Sequence, residues 1–244
     1  MFFDHVGVWV SDVEASTRFY DTVLVAIGKE PAETGGKYVE WDDFAIAQAY
    51  EDRPAVEHLH VAWWAPDRDA VRAFWQAGTD AGFADDGPPG PRPEYRDDYF
   101  GAFLRDPDGN SVEAVHHGSA RQPGQVDHLW IGVTDVVAAR RFYETLAPWA
   151  ALEVGVEAED RVQFRGERGS FMLVADGRPP TRNLHIAFPA PDHATVEGFH
   201  AAMLAAGHVD NGGPGERPEY HPGYYGAFVL DPDGTNVELV DHGR

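Results

Sequence analysis

Two histidines and one glutamate occur twice, at matching positions, in this chain of 244 residues. The six residues are His5, His60 and Glu113, followed by His128, His185 and Glu238. The second histidine and the glutamate are 53 residues apart in both sets. Two imidazoles and a carboxylate on one side of an ion form a facial triad, which leaves several coordination positions open. Such a set suits non-haem Fe(II), with Zn, Mn or Ni as alternatives.

Strand parity predicts that these side chains point to the same side of a sheet. Alternate side chains of a strand lie on opposite faces, and His5 shares its face with none of the valines around it. The same count places His60 and Glu113 on the inner faces of their strands. His58 competes with His60, but the matching residue of the second half is Asn183, which favours His60.

The chain repeats itself over most of each half, although residues 30–56 barely resemble 155–181. Leu-His-x-Ala, Arg-Pro-Glu-Tyr and Asp-Pro-Asp-Gly segments begin at residues 59, 92 and 106, and each recurs 125 residues later. This repeat predicts two domains, residues 1–118 and 126–244. A stretch of Gly, Ser, Gln and Pro at 119–125 is typical of a linker.

Each half has a pattern of strand, helix and further strands, and this pattern occurs twice per half. Ser11-x-x-Glu14 is a capping box that predicts the start of the first helix. Asp67 is expected to cap the second helix and Gly82 to end it. The segment from Lys37 to Tyr50 predicts a hairpin. These elements indicate the α+β class.

Composition excludes several classes of partner and site. Forty-one acidic and nineteen basic residues give a net charge of −22, which repels phosphate backbones and anionic lipid. We therefore expect no nucleic-acid or membrane partner. No apolar run is long enough for a membrane span and no signal peptide is evident, so a cytoplasmic location is expected. The absence of cysteine leaves His, Asp and Glu as metal ligands.

Four motifs resemble those of the vicinal oxygen chelate superfamily. They are Asp-His in the first strand, Phe-Tyr in the first helix, Leu-His-Val/Ile-Ala, and Asp-Pro-Asp-Gly-x-x-Val-Glu, all present twice. The superfamily includes glyoxalase I, extradiol dioxygenases, epimerases and antibiotic-resistance proteins. The resemblance implies two tandem domains, each of paired βαβββ modules forming an open curved barrel. It also implies a divalent metal and a small-molecule substrate that chelates it through adjacent oxygens.

The resemblance further implies which residues hold the metal. The ligands would be the two His/His/Glu sets, and some members add a Glu or Gln on the last strand of the first module. Strand parity offers Gln48 at that position in the first half and Leu173 in the second. Each barrel could pair the modules of one half, or exchange them between halves. Exchange would place His5 with His185 and Glu238.

Residues near the Arg-Pro-Glu-Tyr segments are candidates for the pocket rim. His221 is a candidate base because the ordinary pKa of histidine lies near neutrality. Tyr220 and Tyr224 belong to the same loop, and Tyr and Arg there suit an aromatic or anionic substrate. His117 and His242 lie at strand ends, where solvated histidines are expected.

These observations predict a metal-dependent enzyme and slightly favour a non-haem Fe(II) oxygenase. A glyoxalase-like lyase or epimerase is an alternative. A second alternative is a non-catalytic protein that sequesters an antibiotic or another small molecule. The two halves would form an intramolecular pseudo-dimer, and assembly into a homodimer is left open.

Overall fold

The computed structural model describes residues 2–30, 32–35, 38–119 and 125–243, with only the backbone at 33–35. The chain packs as two compact units. The N-terminal unit is Gly7–Trp130, and the C-terminal unit joins Met1–Val6 to Ile131–Arg244. Residues 120–124 of the predicted linker lie outside the described residues. The predicted domain limits stay a prediction, because compact units report packing and not the limits of repeated sequence.

The elements follow the predicted order of strand, helix and further strands, twice in each half. The first half contains β1 (His5–Val10), α1 (Val13–Val25), β2 (Glu33–Gly35), β3 (Tyr38–Trp41), β4 (Phe44–Gln48), β5 (Leu59–Trp64), α2 (Arg68–Asp80), β6 (Asp85–Pro91), β7 (Phe100–Arg105) and β8 (Ser111–His116). The second half contains β9 (Val126–Gly132), α3 (Val136–Leu146), β10 (Glu153–Ala158), β11 (Arg161–Arg165), β12 (Ser170–Val174), β13 (His185–Pro189), α4 (His193–Ala205), β14 (Val209–Glu216), β15 (Tyr225–Leu230) and β16 (Asn236–Asp241). The α+β class is confirmed.

In each unit, the first strand of one half of the chain lies beside strands from the other half. In the C-terminal unit the strand order is β14-β15-β16-β13, and the start of β1 lies next to β13. There the amide of Asp4 donates to the carbonyl of Ala187 at 2.8 Å. In the N-terminal unit the order is β6-β7-β8-β5, and β9 lies next to β5. This placement decides which histidines can meet.

The helix ends depend on aspartate caps. Asp12 is the N-cap of α1 and accepts from the amide of Ala15 at 2.9 Å, so the prediction that Ser11 caps this helix is wrong by one residue. Asp67 caps α2 as predicted. Gly82, which follows the C-cap Ala81 of that helix, has a φ of +87°, which suits a glycine just beyond a helix C-terminus. None of the helices in the described ranges is long and apolar enough to span a bilayer.

Two segments rich in Gly and Pro form strands that the sequence patterns did not predict. β6 pairs only with β7 and β14 only with β15, so both lie at the edge of their strand order. The register shifts twice in each pairing. Proline lacks an amide proton, and an edge strand tolerates it because one side of the strand needs no partner.

The Phe-Tyr and Asp-Pro-Asp-Gly motifs contact each other inside each unit. The hydroxyl of Tyr20 donates to Asp106 at 2.9 Å, and that of Tyr143 donates to Asp231 at 3.2 Å. All four side chains are buried. The aspartate begins the turn before the strand that carries the glutamate, so these motifs anchor that strand to the first helix of each half.

Candidate functional site

Three side chains from three neighbouring strands converge in the N-terminal unit. They are His60 of β5, Glu113 of β8 and His128 of β9, and we call them the His60 centre. The Nε2 atoms of His60 and His128 lie 3.1 and 3.6 Å from Oε2 of Glu113. Glu113 is 1% exposed, His128 is also buried, and His60 is partly accessible.

An equivalent group, the His5 centre, occurs in the C-terminal unit. It consists of His5 of β1, His185 of β13 and Glu238 of β16. The two Nε2 atoms are 3.0 Å apart, and they lie 3.8 and 3.2 Å from Oε2 of Glu238. Of the two groupings that the sequence left open, the structure has the exchanged one.

Hydrogen bonds on the far side of the rings set the tautomers of three candidate ligands. Nδ1 of His5 donates to Asp4 at 2.8 Å, and Nδ1 of His128 donates to Asp127 at 2.9 Å. Nδ1 of His60 lies 3.1 Å from the Ser111 hydroxyl, whose own proton goes to Asp86 at 2.8 Å. A proton on Nδ1 leaves the lone pair on Nε2, which points into the centre.

In each centre, a tyrosine hydroxyl binds one carboxylate oxygen of the glutamate. The hydroxyls of Tyr99 and Tyr224 donate to Oε1 of Glu113 and of Glu238, both at 2.7 Å, which leaves Oε2 facing the histidines. Burial raises the pKa of Tyr99 well above its usual value, and Glu113 adds to this effect, so its hydroxyl stays protonated and donating. Burial also raises the pKa of Glu113 to about 7, although His128 and Tyr99 act in the opposite direction.

The comparisons identify the family. Residues 2–114 match the sequence profile of the Glyoxalase/Bleomycin resistance protein/Dioxygenase superfamily. A glyoxalase/bleomycin resistance protein from Albidiferax ferrireducens T118 is 31% identical, over 48% of this chain and 100% of that chain, with a TM-score of 0.43. Residues 2–114 therefore belong to this superfamily. The predicted resemblance to vicinal oxygen chelate proteins is therefore confirmed.

Solved structures extend the likeness in fold to the whole chain. Glyoxalase I from Zea mays has a TM-score of 0.68 at 18% identity, over 98% of this chain and 92% of that chain. A candidate dioxygenase from Bacillus subtilis subsp. subtilis str. 168 has a TM-score of 0.70 at 14% identity, over 98% of this chain and 84% of that chain. No curated protein matches the sequence. The superfamily includes both of these enzyme types, so membership supports an enzyme without selecting the reaction.

The donor atoms fit the divalent metals that this superfamily uses. Bonds of about 2.0–2.2 Å from one ion to nitrogen and oxygen put neighbouring ligand atoms roughly 3.0–3.6 Å apart. The donor atoms of the His5 centre are separated by 3.0 to 3.8 Å. In the His60 centre two lone pairs and a carboxylate oxygen face one another, an arrangement that a cation or a shared proton stabilises. The ligand roles themselves stay a prediction.

Gln48 does not extend this set. It shares its face of β4 with the buried Phe44 and Ile46, so the parity assigned to it was wrong. Its amide nitrogen donates to the carbonyl of Ser11 at 2.9 Å, and its oxygen accepts from the amide of Val13 at 3.2 Å. Both ends of the amide are therefore used at the start of α1. Its counterpart Leu173 is a buried apolar side chain.

Two histidines that were expected to be solvated instead support the centres. His117 is 5% exposed and donates to Asp127 at 3.1 Å. His242 donates to Asp4 at 2.8 Å. Burial alone would raise the pKa of Asp127, but the hydrogen bonds from His117 and His128 outweigh it and hold the pKa well below its usual value. The repeated Asp-His pair and the matched positions 117 and 242 were the available signal.

The three predicted catalytic residues have different surroundings. Tyr224 is buried and orients Glu238. Tyr220 is 46% exposed, with its ring 4.8 Å from that of Tyr224. Nε2 of His221 lies 2.8 Å from Nδ1 of His242. His242 and Asp4 link His221 to His5, and the ring of Tyr224 links it to Glu238, so its role as the base stays a prediction.

Substitution of one glycine tests how tightly the glutamate is held. A Cβ on Gly226 would lie 2.5 Å from Oε1 of Glu238 and 3.3 Å from the Tyr224 ring, so the carboxylate must move. We expect Gly226→Ala to weaken metal binding at the His5 centre by about 10–100-fold, the usual effect of disturbing a ligand's support. Competition with a chelator measures this in a protein that also carries Glu113→Ala.

The matched control for this substitution is Gly101→Ala. Its Cβ would lie 2.5 Å from Oε1 of Glu113 and should affect the His60 centre alone. Unchanged metal affinity at the His5 centre of Gly226→Ala would show that Glu238 is not held as described.

Proposed function

We propose that this protein is a metal-dependent enzyme with two mononuclear centres, one at His5, His185 and Glu238 and one at His60, Glu113 and His128. The observation that carries the proposal is the convergence of two imidazole nitrogens and one carboxylate oxygen in each centre. Their donor atoms lie within 4.8 Å of one another. The other ring nitrogen or oxygen of most of these residues is already engaged elsewhere.

The donor set favours a non-haem Fe(II) oxygenase over a lyase. A 2-His-1-carboxylate site supplies a redox-active metal with open positions for a substrate that chelates through adjacent oxygens and for O2. A lyase of this superfamily would be expected to use a fourth protein ligand, and the amide of Gln48 is engaged with backbone groups instead. Zn, Mn and Ni fit the same ligands and are alternatives for the resident metal.

The residues around each centre would orient the ligands and select the histidine tautomer that leaves Nε2 free to bind a metal. Asp4 and Asp127 hold the proton on Nδ1 of His5 and His128, which keeps Nε2 available. Tyr99 and Tyr224 hold each glutamate by one oxygen. The burial of Glu113 and Glu238 excludes water from the carboxylates, so their interaction with a cation is weakly screened.

Oxygen consumption separates the candidate reactions. The protein is loaded anaerobically with Fe(II), and O2 uptake is followed with catechol and with 4-nitrocatechol. We expect uptake that depends on the substrate and is lost when His60→Ala and His185→Ala are combined. The absence of O2 uptake with every chelating substrate, together with turnover of the methylglyoxal–glutathione adduct, would replace the oxygenase with a glyoxalase-like lyase.

The binding-protein alternative predicts a different result from the same samples. A protein that sequesters small molecules would bind them without turnover and without metal. Tight binding of an antibiotic such as bleomycin by the metal-free protein, unaffected by the double histidine substitution, would contradict the enzyme.

A further inference from the structure

The surroundings of the two centres match at most positions. A phenylalanine ring lies beside the histidine of the inner strand in each, with Phe103 at 6.0 Å from His60 and Phe228 at 6.3 Å from His185. An arginine covers each phenylalanine ring, Arg92 in one and Arg217 in the other. A tyrosine pair continues each wall, Tyr95 with Tyr99 and Tyr220 with Tyr224. These shared features do not distinguish the centres.

One aromatic side chain, that of Trp130, lies beside the His60 centre and has no counterpart at the matching position of the His5 centre. Trp130 follows His128 by two residues on β9, so both side chains lie on the same face of the strand. Its ring centroid is 6.4 Å from that of His60, with the planes at 78°, and 6.1 Å from that of Tyr95. The residue at the same position of β1, two after His5, is Gly7.

The exposure of Trp130 indicates that its ring lines the space beside the His60 centre and is not part of the hydrophobic core. Its neighbours Leu129 and Ile131 are buried on the other face, whereas Trp130 is half-buried. Tyr95, its ring partner, is 49% exposed. Trp130 and Phe103 therefore both lie beside His60, and Tyr95 extends the aromatic surface from Trp130. Aromatic groups associate through stacked or edge-to-face contacts, so this surface suits a flat ring.

We propose that Trp130 determines specificity, making the His60 centre selective for chelating molecules in which the adjacent oxygens lie on a planar aromatic ring. The His5 centre, with Gly7 at the matching position, lacks this contact and binds acyclic and aromatic chelators with similar strength. The two centres of one chain thus differ in substrate class. This inference rests on the proposed function, because both centres must bind a metal that the chelator can reach.

The test uses proteins with one centre each and two probes that chelate through adjacent oxygens. Glu238→Ala leaves the His60 centre, and Glu113→Ala leaves the His5 centre. Each is loaded with Co(II), and binding of 4-nitrocatechol and of acetohydroxamate is titrated from the visible absorption spectrum. We expect Trp130→Gly to weaken 4-nitrocatechol binding at the His60 centre about tenfold, with acetohydroxamate unchanged. The His5 centre should already resemble that variant.

Two further variants separate ring stacking from packing. Trp130→Phe keeps a ring and should retain most of the preference for 4-nitrocatechol, whereas Trp130→Leu keeps apolar bulk and should lose it. Equal weakening of both probes in Trp130→Gly and Trp130→Leu would mean a structural role and overturn the inference. Equal 4-nitrocatechol affinity at both centres, unchanged by Trp130→Gly, would also overturn it while leaving the proposed function intact. If neither probe alters the Co(II) spectrum in either protein, the proposed function itself fails.

Discussion

A protein that carries both His5→Ala and Glu238→Ala should still bind one equivalent of divalent metal tightly. Wild type should bind two, because it has two groups of candidate ligands. Either substitution alone should remove one equivalent, since a site that loses a ligand is weakened more than the roughly 10–100-fold typical of outer-shell changes. Adding the second substitution then removes no further metal, because both residues belong to the same centre. Metal analysis after loading and desalting measures the stoichiometry.

The complementary pair makes this prediction specific to the exchanged grouping. His5→Ala combined with Glu113→Ala should remove both equivalents, because the two residues belong to different centres. Pairing within each half would reverse the two results. His193→Ala is a matched control, since this histidine lies on the surface beside Tyr225 and should leave both equivalents in place. Retention of two equivalents by both double variants would contradict metal binding at these residues.

Asp43→Ala should lower the free energy of unfolding by about 3–5 kcal/mol, the usual cost of breaking a buried ion pair. Asp43 accepts from Nζ of Lys29 at 2.9 Å, and the two side chains are 2% and 5% exposed. Its second oxygen accepts from the amide of Val126 at 2.8 Å. The substitution therefore removes the carboxylate nearest to a buried ammonium, with that of Asp42 4.0 Å away, and frees the start of the strand that carries His128. Urea unfolding followed by circular dichroism measures the change.

A double substitution distinguishes the destabilising effect of the buried charge from that of the lost contacts. Lys29→Met combined with Asp43→Leu removes both charges and keeps apolar volume, so it should be clearly less destabilising than Asp43→Ala. Asp43→Asn retains an acceptor for Val126 and should fall between wild type and Asp43→Ala. A double variant as unstable as Asp43→Ala would show that the loss comes from packing or from the Val126 contact. A loss below about 1 kcal/mol, as at exposed pairs, would show that the ion pair is not buried in solution.

The residue types of the centres could be read from the sequence, because the face on which a strand side chain lies depends only on local alternation. His5, His60 and Glu113 lie on the inner faces as this count predicts. The repeat added the second set, and the motifs predicted the superfamily that the comparisons confirm. The same count failed at Gln48, where the inner face was assigned without knowing which residues of β4 pack under the helix.

The partnership of the ligands depends on the tertiary structure alone. Both halves carry the same residues at the same positions, so local patterns favour the exchanged and unexchanged groupings equally. The choice is made by which strands become neighbours, and the start of β1 lies beside β13. Similarly, edge pairing allows the Gly- and Pro-rich β6 and β14 to form strands. Contacts between residues far apart in the chain, such as those of His242 with Asp4 and of Trp130 with His60, give each centre its own surroundings. The sequence therefore determined the two His/His/Glu sets, and the packing of the strands decided how they combine and how the resulting centres differ.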